Sequence, residues 1–182
     1  MENQTKTTLE HGLKWGLIYG MANIAFFLIA YLIDKTLLVS MWFSGGIFII
    51  NLILLIFPVI AKRKEFKGLI SFNDAFIICF TVFLGGALIQ NIFTFFLYNF
   101  IDTGLAEFIK QQTIESTVSL LEKFNLEQDQ IDKAISDIQS QDFTQTPARI
   151  SLQFFYSMIY GGLISMILAA ILKKAPKVSD FE

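Results

Sequence analysis

The sequence contains a single cysteine, Cys79, and a single histidine, His11. One cysteine cannot form a disulfide within the chain or build a cysteine-based metal cluster. One histidine whose nearest acidic neighbour in sequence is Glu10 cannot assemble the usual ligand set of a zinc ion. We therefore expect no metal ion and no cofactor, and Cys79 is interpreted as a small apolar packing residue.

The sequence also lacks the motifs that mark common catalytic and ligand sites. It has no glycine-rich phosphate-binding loop of the Walker type, and the acidic residues between positions 125 and 137 lack the central glycine of an EF-hand. No aspartate, glutamate, lysine, arginine or histidine lies in the middle of a long apolar stretch, although ion pathways and proton relays usually carry one. We therefore predict that the chain is not an enzyme, and a proton-coupled pump is disfavoured.

Charged residues are scarce and apolar residues are abundant. Only 16% of the residues are charged and 54% are hydrophobic, with 20 phenylalanines, whereas soluble domains are about 25% charged and about 45–50% apolar. The mean hydropathy is +0.56. Such an excess of apolar surface requires lipid as its solvent, and 182 residues favour a single domain.

Four apolar runs are long enough to cross a bilayer at a rise of about 1.5 Å per residue. In the third, no charge falls between Asp74 and Asp102. The first is longer than the apolar region of a signal peptide, which favours an uncleaved anchor over a cleaved leader. The predicted spans are residues 13–33, 37–61, 73–99 and 150–172, approximately.

The stretch between the third and fourth spans, residues 100–149, differs in composition from the rest. It carries nine carboxylates against four basic side chains. Its apolar residues recur at helical spacing, with a plausible break at Asn125, so we predict a pair of amphipathic helices. The predicted fold is an all-α membrane protein with four transmembrane helices and this acidic helical segment outside the membrane.

The basic residues predict the orientation in the membrane. The positive-inside rule counts lysine and arginine in the short flanks of the spans. It places both termini and the loop between the second and third spans in the cytoplasm, and the acidic segment outside. For a bacterial inner membrane the acidic segment faces the periplasm. The basic flanks contain Lys6, Lys14, Lys62, Arg63, Lys64, Lys67, Lys173, Lys174 and Lys177.

Small residues recur at intervals of about four in several spans, and four-residue spacing places them on one helix face. Such faces allow helix backbones to approach closely in lipid. They could pack the bundle against itself, leave a face for a second copy or another membrane protein, or line a solute path. The candidate packing residues are Gly12, Gly16, Gly20, Gly45, Gly46, Gly85, Gly86, Ser157, Gly161, Gly162 and Ser165.

Two sets of polar residues have structural interpretations. Ser71 and Asp74 fit a capping box, which explains Asp74 at the start of the third span without a ligand or proton site. Four uncharged polar residues lie at mid-span depth, where such groups usually face the bundle interior and bond across helices. This polar interior set is Asn23, Asn51, Gln90 and Asn91.

Several stretches carry a family resemblance. The chain has four predicted spans and a polar segment before the last one. Together with the basic loop leading into residues 68–76 and the ending at residues 162–174, this layout resembles the bacterial family called domain of unknown function 4199. That group is typical of Bacteroidetes-type bacteria. The resemblance implies an inner-membrane protein without an assigned activity, and it brings no catalytic residues.

The sequence therefore predicts an integral inner-membrane protein that acts as a non-enzymatic scaffold or accessory subunit and packs through small-residue helix faces. The alternative is a small transporter or channel subunit for a neutral solute, with the polar interior set lining a cavity. The expected partners are the lipid bilayer and a second copy or another membrane protein. We expect no nucleic acid among them.

Overall fold

The computed structural model describes residues 2–174, so Lys177 and the other residues after 174 lie outside the described part. Six α-helices account for most of it, and the all-α prediction is confirmed. The helices are α1 (Glu2–Ile33), α2 (Met41–Glu65), α3 (Phe72–Phe96), α4 (Leu105–Lys123), α5 (Gln128–Gln139) and α6 (Pro147–Leu172). Four of these regions are long and apolar enough to cross a membrane, namely Lys6–Ile33, Met41–Glu65, Phe72–Ile101 and Pro147–Leu172.

The helix termini follow from local hydrogen bonds. Ser71 accepts a hydrogen bond from the Asp74 backbone N–H at the start of α3. Thr146 accepts one from the Arg149 N–H at the start of α6, where Pro147 occupies the first helical position. A proline there loses nothing, because its missing N–H would have had no partner within the helix.

The second span begins later than predicted. The Asp34 carboxylate accepts a hydrogen bond from the Thr36 N–H at 2.9 Å, and residues Lys35–Val39 then form a 3-10 helix. This side-chain bond offers the backbone an alternative to the α-helix. The α-helix therefore starts at Met41 rather than at residue 37. At the same end of the bundle, α3 continues as a π-helical turn, Leu97–Ile101.

The buried core lies in one half of the bundle. Helix α3 is central, with α1 and α6 packed on it. All buried residues of α2 fall in its second half, from Leu55 onward. The core cluster comprises Tyr19, Leu55, Val59, Ile70, Ala75, Ile78, Cys79, Val82, Leu168 and Ala169. The first half of α2 therefore stands away from the bundle.

The two ends of the bundle differ in chemistry. The lysine-rich end carries the α2–α3 loop and the last residues of α6, with Lys62, Arg63, Lys64, Lys67, Lys173 and Lys174. Here Ile70 and Lys174 exchange two backbone hydrogen bonds, of 3.0 and 2.9 Å. The hairpin end carries α4 and α5, which pack against each other.

Candidate functional site: an amide-lined cleft

A cleft of about 400 Å³ opens where the first half of α2 stands away from α1 and α3. It extends along α2 from Phe43 to Asn51, which is about 12 Å at the rise of a helix. None of its lining residues is charged. The lining consists of Asn23, Phe26, Phe27, Leu38, Phe43, Ser44, Ile47, Phe48, Asn51 and Gln90.

The side-chain amides near mid-span form a short chain of hydrogen bonds. Asn51 donates from Nδ2 to Asn23 Oδ1 at 2.9 Å, and Asn23 donates from its own Nδ2 to the Tyr19 carbonyl at 2.9 Å. The oxygens Asn51 Oδ1 and Gln90 Oε1 are buried and have no hydrogen-bond partner among the described residues. Unpaired polar atoms are costly in a membrane interior, because no bulk water replaces the missing bond.

A second, smaller void adjoins the cleft. Its volume is about 140 Å³, and Asn23 and Gln90 line it as well as the cleft. Tyr19, Phe83 and Gly86 contribute to its walls. The side chains of these two residues therefore border both spaces.

Three of the four residues of the predicted polar interior set line the cleft. Asn91, the fourth, is half-buried and does not line it. Its neighbour Gln90 points to a different side of α3, since adjacent helical residues do not share a face. The alternative prediction, that the polar interior set lines a cavity, fits these three residues. The position of the cleft beside the first half of α2 was not predicted, because hydropathy does not report where a helix leaves its neighbours.

The glycines of α1 and α3 lie where these helices cross. A Cβ atom built on Gly16 would lie 3.3 Å from the Gly85 Cα and 3.3 Å from two α3 carbonyl oxygens. Cβ atoms on Gly12 and Gly20 would meet Thr81 and Ile89. The backbones approach this closely only because neither helix has a side chain at the crossing.

The remaining small residues fall into different environments. A Cβ on Gly86 would overlap Tyr19, and one on Gly161 would overlap the Phe83 ring. Gly162 has ordinary room, with Phe80 at 3.8 Å. A Cβ on Gly45 or Gly46 would have no neighbour within 4 Å among residues 2–174.

Two of the candidate packing residues in α6 are serines, Ser157 and Ser165, and neither makes a hydrogen bond to another helix that the structure describes. Ser157 donates to the Phe154 carbonyl of its own helix at 2.6 Å. Ser165 is fully buried, and its hydroxyl oxygen has no partner among the described residues. Both therefore serve here as small residues rather than as interhelical bonds.

The lysine-rich end holds a second group of polar side chains. Ser71 donates to Asp74 Oδ2 at 2.7 Å, and Thr8 of α1 donates to Asp74 Oδ1 at 3.4 Å. His11 donates from Nε2 to the Pro58 carbonyl at 2.9 Å, which ties α1 to the proline-containing part of α2. Ser71 thus caps α3, and the Asp74 carboxylate holds the Ser71 hydroxyl and joins α3 to α1.

The hairpin end holds an ion pair that the sequence analysis missed. Lys35 Nζ lies 2.5 Å from Asp102 Oδ2, and Tyr31 donates its hydroxyl to the same oxygen at 2.9 Å. The hydrogen bond from Lys35 lowers the pKa of Asp102, and the same bond raises the pKa of Lys35. The sequence signal that could have predicted this ion pair is a lone lysine in the short 34–36 turn, since that turn lies at the same end of the bundle as the first acidic residue after the third span.

We expect replacement of Asp102 by asparagine to loosen the start of α4, because Lys35 and Tyr31 then lose a charged partner. Since the pKa of Asp102 is lowered in the fold, the pair stabilises the junction above about pH 4. That contribution disappears as the pH falls through the folded pKa. Protection of the amides at residues 102–108, measured as the exchange rate relative to the intrinsic rate at the same pH, should therefore fall in acid and in Asp102→Asn. Asp129→Asn, on the exposed face of α5, should change nothing there, and equal effects from both variants would contradict the assignment.

Among residues 2–174, no three histidine, cysteine, aspartate or glutamate side chains come together in a way that could hold a metal ion. A family model described as "Protein of unknown function (DUF4199)" matches residues 14–174. No curated protein and no solved structure matches the chain.

Proposed function

This multi-pass membrane protein belongs to the DUF4199 family of proteins of unknown function, and we propose that it is a non-enzymatic scaffold or accessory subunit. In this proposal a second copy of the chain docks on the first half of α2. The observation that carries the proposal is the open space around Gly45 and Gly46.

Glycine in a helix costs about 1 kcal/mol relative to alanine. In α1 and α3 the close approach at Gly16 and Gly85 offsets that cost. At Gly45 and Gly46 nothing in the described chain does so. A partner helix lying against Gly45 and Gly46 would supply the missing contacts, because small residues let backbones approach in lipid.

The face of α2 around Gly45 and Gly46 is long and apolar. Trp42 is 92% exposed, and Ile49 and Ile53 are exposed on the following turns. These residues and the glycine pair recur at three- and four-residue intervals, so they form one stripe along α2. The docking face is defined as Trp42, Gly45, Gly46, Ile49 and Ile53.

A second copy is the occupant that best fits this face. Two copies inserted in the same orientation can pair by a two-fold axis along the membrane normal, which brings the same face of each together. The two glycine pairs then meet at the crossing, where close backbone approach is most favourable. The face carries no charged residue that would require a complementary partner of different sequence.

We also propose that the protein lies in a bacterial inner membrane with its lysine-rich end in the cytoplasm. The support is the concentration of basic residues at that end, in the α2–α3 loop and at the end of α6. The positive-inside rule then places the α4–α5 hairpin outside the cytoplasm.

Cysteine crosslinking tests the proposed pairing. In a Cys79→Ala background, single cysteines at Gly45, Ile49 and Ile53 should give disulfide-linked dimers in native membranes. Matched cysteines at Ile159 and Ile167, which are equally exposed on α6, should not. Gly45→Leu should abolish a dimer seen by size in mild detergent. A strictly monomeric chain, or equal crosslinking on α6, would overturn the proposal.

A second candidate function is a small transporter or channel subunit for a neutral solute. The cleft favours it, since Asn23, Asn51 and Gln90 converge there. A path across the membrane would also have to pass the core cluster, in which Leu55 and Ile78 are almost fully buried. Glycerol entry into proteoliposomes no faster than into empty liposomes would remove this candidate.

A further inference from the structure

Gln90 is the least satisfied polar side chain of the cleft. Its Oε1 is fully buried without a partner among the described residues, although the side chain lines both the cleft and the smaller void. The terminal torsion of glutamine is soft. A half-turn about this torsion exchanges the positions of the amide oxygen and nitrogen, so the amide can adapt to a molecule that offers both a donor and an acceptor.

The lining restricts what that molecule can be. No charged side chain in the described part of the chain lines the cleft, so an ion would enter without a counter-charge, at a high cost in this medium. An acyl chain would leave the amides of Asn51 and Gln90 unpaired. A phospholipid has its polar group at the membrane surface, whereas the amides of the cleft lie near mid-span.

The walls indicate the apolar part of the ligand. Four phenylalanines, Phe26, Phe27, Phe43 and Phe48, line the cleft, and aromatic side chains favour offset or edge contacts with another ring. A volume of about 400 Å³ lies within the range of small-molecule sites, which is about 300–1,000 Å³.

We propose that the cleft binds a small, neutral, ring-bearing molecule that offers Gln90 a hydrogen-bond donor beside an acceptor, as a carboxamide does. A primary amide has both an acceptor oxygen and donor hydrogens, so the two groups can form a pair of bonds. The site requires neither passage across the membrane nor pairing of two copies.

Equilibrium dialysis with radiolabelled benzamide tests the site, using the purified full chain in detergent and empty micelles as the blank. Benzamide should bind saturably with one site per chain. N,N-dimethylbenzamide keeps the ring and the carbonyl but has no donor, and benzoate carries a charge. The dimethyl analogue and benzoate should each bind at least about tenfold more weakly than benzamide, which is the scale of one lost hydrogen bond.

Variants assign the binding to Gln90. Gln90→Leu should weaken benzamide binding about tenfold and should fold, because it removes an unpaired polar group from the interior. Ser157→Ala, a polar change within α6 and outside the cleft, should bind as the parent does. Gly45→Leu should also bind normally, which separates this site from the docking face.

Three results would overturn the proposal. The first is benzamide binding no greater than in empty micelles, which would mean that the cleft holds water alone. The second is equal binding of benzamide and its dimethyl analogue. The third is unchanged affinity in Gln90→Leu.

Discussion

Replacing Gly16 by leucine is expected to lower the free energy of unfolding by about 3 kcal/mol, the upper part of the usual range for overpacking. The neighbours of this position are the Gly85 Cα and the carbonyl oxygens of Thr81 and Val82, each 3.3 Å from a built Cβ. All three are backbone atoms, so no rotamer change can make room. The added side chain must push α1 away from α3, which is the main helix pair of the bundle.

Gly45→Leu is the matched control, because a Cβ at Gly45 meets no described atom within 4 Å. It should leave the monomer as stable as the parent or slightly more stable, since leucine is the better helix former. The measurement is unfolding in mixed micelles of increasing SDS content, followed by circular dichroism at a protein concentration where the chain is monomeric. Equal losses from the two substitutions would show that the α1–α3 crossing is not as close as described.

Replacing Gly161 by alanine is expected to cost about 2 kcal/mol, although only one methyl group is added. That methyl would overlap the Phe83 ring, which is packed against the core cluster. The ring contacts the core and Tyr19, so its movement disturbs both the α3–α6 and the α1–α3 contacts. The ring can shift where backbone cannot, which is why the expected loss is smaller than for Gly16→Leu.

The adjacent residue gives the control for this second substitution. Gly162→Ala places its methyl 3.8 Å from Phe80, which is an ordinary contact. It should stabilise the helix by up to about 1 kcal/mol through helix propensity alone. The same SDS titration measures both variants. A stabilising Gly161→Ala, or two variants with the same effect, would contradict the described packing of α6.

The sequence predicted the helices well, because membrane spans are set by local properties. A run of apolar residues must satisfy its own backbone hydrogen bonds in lipid, and only a helix does so within one segment. The predicted start of the second span lies four residues before the observed start of α2, because the Asp34 side chain accepts a hydrogen bond from the Thr36 N–H. A single competing hydrogen bond of that kind is invisible to a hydropathy pattern.

The candidate site was predictable only in part. The mid-span depth of Asn23, Asn51 and Gln90 follows from counting along the spans, but the space between them depends on the tilt of α2. Glycine pairs look alike in the sequence, yet Gly85 lies against the backbone of Gly16, whereas Gly45 has no close neighbour in the part of the chain that the structure describes. The Lys35–Asp102 pair joins residues 67 positions apart, a separation at which no local pattern connects two charges.

The paired backbone of Ile70 and Lys174 has a consequence for the order of assembly. Helices α1, α2 and α3 can insert and associate while the ribosome is still making the rest of the chain. The loop after α2 cannot reach its final shape until residue 174 has emerged, because two of its hydrogen bonds end there. The lysine-rich end therefore reaches its final structure last. A chain that ended before α6 would lack the two hydrogen bonds between Ile70 and Lys174 that hold this loop.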